Sequence, residues 1–151
     1  MGKGLEYLRV LATVLAGLLT FTGCDDEKTI GCDELPSAAR TFIEQYFPAR
    51  TPHHVQREKD DGCRKYECTL DDGTQLEFDA SGEWTEVDCK FSALPEGILP
   101  GRVAGHLAAN YPQVVAYKVE RQLGGYEVSV SGSLELIYGA DGAFVREQRD
   151  F

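Results

Sequence analysis

The sequence predicts an α+β fold in which an α-β-β-β-β unit occurs twice, giving an antiparallel sheet with two helices packed on one face. Three observations lead there. The chain repeats itself at long range, each copy opens on an apolar stripe at helical spacing, and turn residues then punctuate stretches of alternating polarity. The size fits one domain, since 151 residues with 42% hydrophobic and 26% charged side chains are ordinary for a globular chain.

The repeat is read directly. Leu35-Pro36 opens a segment that ends at Tyr46-Phe47-Pro48, and Leu99-Pro100, 64 residues later, opens one that ends at Asn110-Tyr111-Pro112. Further on, Tyr66-Glu67-Cys68 matches Tyr126-Glu127-Val128, and the stretch from Leu76 to Trp84 matches that from Leu136 to Phe144, both at an offset of 60. The change of offset places a four-residue deletion in the second copy, near its first hairpin. The copies span residues 35–90 and 91–151 and together form one domain.

Each copy should begin with a helix. Ala39, Phe42, Ile43, Tyr46 and Phe47 recur at i, i+3, i+4, i+7 and i+8, which gathers them on one face. Val103, His106, Leu107, Asn110 and Tyr111 give a weaker version, so His106, the counterpart of Phe42, is expected as a satisfied core histidine. Pro36 and Pro100 suit a first helical turn, where a missing N–H costs nothing, and Pro48 and Pro112 end the two helices.

Four strands come next in each copy. Asp60-Asp61-Gly62, Asp71-Asp72-Gly73 and Ser81-Gly82 mark turns in the first, and Gly124-Gly125, Gly132 and Asp141-Gly142 in the second. Between them Tyr66, Cys68 and Leu70 share one face of a strand, as do Tyr126, Val128 and Val130. The other face is polar, bearing Lys65, Glu67, Thr69, Glu77, Glu127, Ser129 and Glu135. An apolar sheet face needs a cover, which the helices supply.

Residues 1–23 read as a lipoprotein signal peptide outside this fold. Two basic residues and Glu6 lie before Val10, and the run from Val10 to Phe21 carries no charge but is too short for the roughly 20 residues of a spanning helix. Phe21-Thr22-Gly23-Cys24 resembles the bacterial lipobox, with Phe21 where leucine is usual, which marks Cys24 for lipidation and as the membrane contact. Residues 24–34 are then a lipidated acidic tether. Its Asp25-Asp26-Glu27-Lys28 resembles the surface-export signal of lipoproteins in the Bacteroides group of bacteria, and a plain solvated tether accounts for it equally well. The expected location is the cell envelope, as an outer-membrane lipoprotein that is periplasmic or surface-exposed. The net charge of −10 becomes −11 once residues 1–23, with two basic residues and one acidic, are removed; a nucleic-acid backbone would repel such a chain.

Leu76-Glu77-Phe78-Asp79 and the run from Gly82 to Lys90, in this order of elements, resemble the PepSY-like family of β-lactamase-inhibitor-like proteins. The resemblance covers residues 33–151. It implies a sheet curved around two helices, as in the inhibitor whose sheet face grips β-lactamase; most members have no assigned activity, and the resemblance carries no functional residues over to this chain. The second copy departs from the strongest phrase, with Phe144 in place of Trp84.

Cys32, Cys63, Cys68 and Cys89 remain after Cys24, and an even count in an exported chain favours disulfides. Cys63 and Cys68, five residues apart on one strand, are about 16 Å apart and cannot bond. The expected pairs are Cys32–Cys63 and Cys68–Cys89, the rival being a buried, inert Cys68. Zinc is disfavoured because the thiol spacing is not that of paired ligands and His53-His54 point to opposite faces. Asp60-Asp61 and Asp71-Asp72 lack the alternating oxygens of a calcium loop. No nucleophile elbow, metalloprotease motif or phosphate loop occurs, so neither enzyme activity nor a cofactor is expected.

Two functions stay open. A protein- or peptide-binding module, inhibitor-like in style, would use the polar sheet face, with Trp84 either an anchor or a cap on the core. Alternatively, a small-ligand or ion-sensing, or envelope-structural, lipoprotein would hold its ligand between the linker from Cys89 to Pro100 and the helix faces.

Overall fold

A computed structural model describes residues 27–149. The expected leader and Cys24 lie outside these residues. Nine strands and two helices succeed one another: β1 (Lys28–Thr29), α1 (Ser37–Tyr46), β2 (Pro52–Asp60), β3 (Cys63–Leu70), β4 (Gln75–Asp79) and β5 (Trp84–Asp88), then α2 (Gly101–Asn110), β6 (Ala116–Gln122), β7 (Gly125–Val130), β8 (Leu134–Gly139) and β9 (Phe144–Arg149). All strands lie in one sheet in sequence order, each antiparallel to the next.

The helices form where the stripes place them. Ala39, Ile43 and Phe47 are buried from the first copy, Val103 and Leu107 from the second. Pro36 and Pro100 sit immediately before the first helical residue, with extended backbone (ψ 146° and 142°). Each helix closes in the same way, the Phe47 N–H donating to the Ile43 carbonyl and the Tyr111 N–H to that of Leu107, both at 2.8 Å.

Both helices cover the face bearing Leu76, Phe78, Val87, Val119, Val128, Leu136 and Tyr138, all at most 1% exposed. Contact is close enough to need glycine. A Cβ on Gly82, whose φ is +89°, would lie 2.7 Å from Pro36 Cβ and 2.9 Å from the Ala39 nitrogen.

The copies differ in one hairpin. β6 and β7 close at Gln122↔Gly125, whereas β2 and β3 continue past the equivalent Glu58↔Lys65 through Lys59↔Arg64 and Asp60↔Cys63. Those two added rungs are the four residues missing from the second copy. Pairing of Glu86 with Glu120, Val87 with Val119 and Asp88 with Lys118 then joins the copies into one sheet and one core.

The tether expected over residues 24–34 is part of the folded body from Lys28 onward. Lys28 and Thr29 pair with Arg57 and Gln56, and the Ile30 N–H donates to the Val55 carbonyl at 3.0 Å. Ile30 and Leu35 are buried, and a short 3₁₀ turn at Cys32–Glu34 leads to α1. Against β2, β1 takes the place that β5 takes against β6: Ile30 faces Val55 as Val87 faces Val119.

The expected disulfides do not form. β1 runs towards the Pro52 end of β2, so Cys32 lines a recess with Phe47, Pro48 and Pro52, while Cys63 is opposite Asp60 at the other end. Cys68 and Cys89 have β4 between their strands, a separation of about 9.6 Å across two strand spacings, beyond the roughly 6.8 Å Cα reach of a disulfide. All four thiols are free, Cys32 and Cys63 exposed, Cys68 and Cys89 buried.

Candidate functional site: the open face of the sheet

The face away from the helices carries all seven polar residues singled out from the sequence, in three adjoining rows across the strands. Glu67, Glu77, Glu86, Glu120 and Glu127 stand directly opposite one another on β3 to β7. This line of five carboxylates is about 19 Å long at ~4.8 Å per strand. Beside it run Thr69, Gln75, Asp88, Lys118, Ser129, Glu135 and Gln148. Lys65 lies on the other flank, opposite Glu58 and Asp79.

Like charges in direct register oppose one another, and partial burial sharpens the conflict. Glu77 has its carboxyl pushed above the ordinary range by burial and then by Glu86. Glu67 is raised by burial and by Glu58, and Glu127 by burial, Glu135 and Glu120. Two lysines relieve the row in part. Lys65 lies 3.0 Å from Glu58 and 3.6 Å from Glu67, and Lys118 lies 3.2 Å from Glu86. Bonding to Glu58 holds Lys65 above its usual value. Burial alone would lower Lys118, but Glu86, Glu120 and Asp88 raise it. The Gln122 amide donates to Glu127 at 2.8 Å and, in the adjoining row, that of Gln148 to Glu135 at 2.6 Å, so both carboxylates are tied down without being neutralised.

Glu86, Glu120, Lys118 and Asp88 were not singled out from the sequence. Their alternation on β5 and β6 was readable, but their membership in the row depends on the β5–β6 register, which periodicity within a strand does not specify.

The remaining candidates lie elsewhere. Trp84 is 7% exposed and faces the helices, its ring 6.4 Å from that of Phe42, so it caps the core. His106 is hydrogen-bonded through Nδ1 to the Tyr138 hydroxyl at 3.0 Å and stacks on Phe144 at 4.5 Å, as a satisfied histidine should. His53 and His54 are both exposed. Burial lifts the Cys68 and Cys89 thiols to about 11, which removes them as nucleophiles at neutral pH. Among the described residues no three His, Cys, Asp or Glu side chains gather closely enough to hold a metal ion, and no helix is long and apolar enough to cross a membrane.

Residues 25–76 and 64–146 each match the family described as "Putative beta-lactamase-inhibitor-like, PepSY-like". The chain belongs to that family. Two matches in one chain agree with the duplicated architecture, and the PepSY-like description indicates no catalytic family. Several solved structures share the fold. A "putative periplasmic protein" of the DUF2874 family from Bacteroides vulgatus is 35% identical, with a TM-score of 0.80, over 84% of this chain and 100% of its own. A "putative calcium-regulated periplasmic protein" from Bacteroides thetaiotaomicron is 31% identical, with a TM-score of 0.79, over 82% of this chain and 98% of its own. A third, of unknown function from Bacteroides vulgatus, is 31% identical, with a TM-score of 0.78, over 81% and 98%. No curated protein matches the chain. The relatives are described as periplasmic, which supports a cell-envelope location for this PepSY-like protein.

Proposed function

We propose that this PepSY-like chain is a non-enzymatic envelope lipoprotein that binds a protein or peptide on the open face of its sheet, in the manner of an inhibitor. The observation that carries the reading is the row from Glu67 to Glu127, five directly opposed carboxylates of which at least three are destabilised in place. A fold gains nothing from such a row, whereas a partner presenting lysine or arginine would relieve it and be steered towards it. The lipid on Cys24 would hold the domain at the outer membrane.

Capture tests this reading. Residues 25–151 are immobilised and exposed to envelope and secreted proteins at two salt concentrations, alongside a Glu67→Lys, Glu127→Lys variant. A saturable, salt-sensitive partner lost in the variant, with the melting temperature retained, is the expected result. Equal capture by both proteins would refute it. The mass of the N-terminal peptide from membrane-extracted protein reports acylation at Cys24 separately.

The description of the Bacteroides thetaiotaomicron relative as calcium-regulated favours a second reading, ion sensing. A calcium-dependent rise in melting temperature, by mass action, would support it.

A further inference from the structure

The two helices stand apart on the sheet. α1 sits over β4 and β5, where Phe42 meets Phe78 at 5.7 Å, and α2 sits over β8 and β9, where His106 meets Tyr138 at 5.5 Å. Four strand spacings, about 19 Å, separate those positions, against a helix diameter of about 10 Å. A groove of about 560 Å³ runs beside α1 along this interval, lined among others by Phe42, Gln45, Tyr46, Trp84, Ile98 and Arg121. The volume lies within the usual range for small-molecule sites.

At its mouth the Arg121 guanidinium lies 4.0 Å from the centroid of the Trp84 ring. Among the described residues its one ion-pair partner is Glu83, at a loose 3.9 Å and itself mostly exposed. The guanidinium is thus held by the indole while its donors remain weakly engaged. Neither repeat builds this arrangement alone, because Trp84 comes from the first copy and Arg121 from the second, across the β5–β6 joint. Arg57, the counterpart of Arg121, faces Lys28 rather than a ring, and Phe144, the counterpart of Trp84, lies on β9, which among the described residues is an edge strand.

We propose that this joint is a binding site for an apolar monocarboxylate, with the carboxylate on Arg121 and the apolar group against Trp84, Phe42 and Tyr46. The planar arginine fork matches a carboxylate in two-point geometry, and its fixed position reduces the ordering that binding requires. Glu83 competes with the ligand for Arg121 and disfavours a second negative charge. The same chemistry is offered by a free small acid and by the C-terminus of a peptide. The site lies on the helix side, so it is independent of the sheet-face reading and should ignore charge reversal at Glu67 and Glu127.

Trp84 is the chain's single tryptophan and reports directly on the groove. The intact chain is titrated with N-acetylphenylalanine and its amide, and with an acetylated leucyl-leucyl-phenylalanine peptide bearing a free or amidated C-terminus. A saturable change in Trp84 emission is expected with an acid form, at least tenfold weaker for the matching amide because the charged two-point bond is lost. Arg121→Gln should weaken binding about tenfold and Arg121→Lys by less, since lysine keeps the charge without the fork. Glu83→Gln should tighten it, an effect no loss of structure would produce. Binding confined to the small acid, or to the peptide acid, supports the site and names the source. Equal binding of acid and amide, no saturation at millimolar probe, or indifference to both Arg121 and Glu83 would overturn it.

Discussion

Replacing Glu77 by glutamine should make the protein more stable, and by an amount that depends on pH. Glu77 stands between Glu67 and Glu86 in direct register. Carboxylates about 6 Å apart in a water-like dielectric repel by ~0.7 kcal/mol per pair, so two neighbours cost about 1.4 kcal/mol before Lys65 offsets part. Glutamine keeps the shape and removes the charge, for a net gain of about 1 kcal/mol near neutrality, or about 4 °C in melting temperature for a domain of this size. The carboxyl is raised from its ordinary 4.5, so the folded protein holds the proton to higher pH than the unfolded chain. The penalty is therefore full above the raised value and absent below the ordinary one, and the advantage of Glu77→Gln should shrink as pH falls through that window. Urea unfolding of both proteins at about pH 7 and about pH 4 measures it. No gain at the higher pH, or an equal gain at both, would refute the idea that opposed charge strains the open face.

Other expectations come from the packing. Gly82→Ala should destabilise by about 3 kcal/mol through a left-handed φ and a collision with α1, whereas Gly124→Ala, with φ +93° and nothing within 4 Å, should lose only about 1 kcal/mol; urea melts compare them. His106→Phe restores the residue type of the first copy but strands the Tyr138 hydroxyl, 1% exposed, at a cost of about 2 kcal/mol. Adding Tyr138→Phe, which reproduces the Phe42–Phe78 pair, should recover most of that loss, and a double-mutant cycle gives the coupling. With reduced native protein near pH 8, iodoacetamide should label the exposed Cys32 and Cys63 first and the buried Cys68 and Cys89 last. Peptide mapping that finds Cys68 modified as fast as Cys63 would contradict that order.

Features written locally were legible in the sequence. The stripe from Ala39 to Phe47 required a helix with one covered face, and the alternation of Tyr66, Cys68 and Leu70 placed Lys65, Glu67 and Thr69 on the open side. The repeat located the added hairpin rungs to within a few residues. Features that depend on neighbours distant in sequence escaped. β1 has two exposed residues and no alternation to show; its pairing with Gln56 and Arg57, and the burial of Ile30 behind it, exist only once β2 is formed. The expected disulfides miss for the same reason: the direction of β1 sets which end of β2 Cys32 reaches, and β4 keeps Cys68 and Cys89 apart, neither of which spacing along the chain shows. The acidic row was half visible because Glu86 and Glu120 meet only where the two copies join.

The order of the sheet bears on how the chain is made. Within each copy the four strands pair in sequence order through short turns, so only the β1–β2 and β5–β6 joints, each with a helix between the strands, close over a longer stretch. A polypeptide emerging N-terminus first from a ribosome or a translocation pore can add the hairpins of each copy as they appear, with low loop-closure entropy at each of those steps. The growing edge is exposed throughout, and the sheet ends on β9, whose Arg146, Glu147 and Arg149 are poor templates for pairing with another molecule. Assembly within each copy can thus proceed one hairpin at a time, and the described sheet finishes on a charged edge strand.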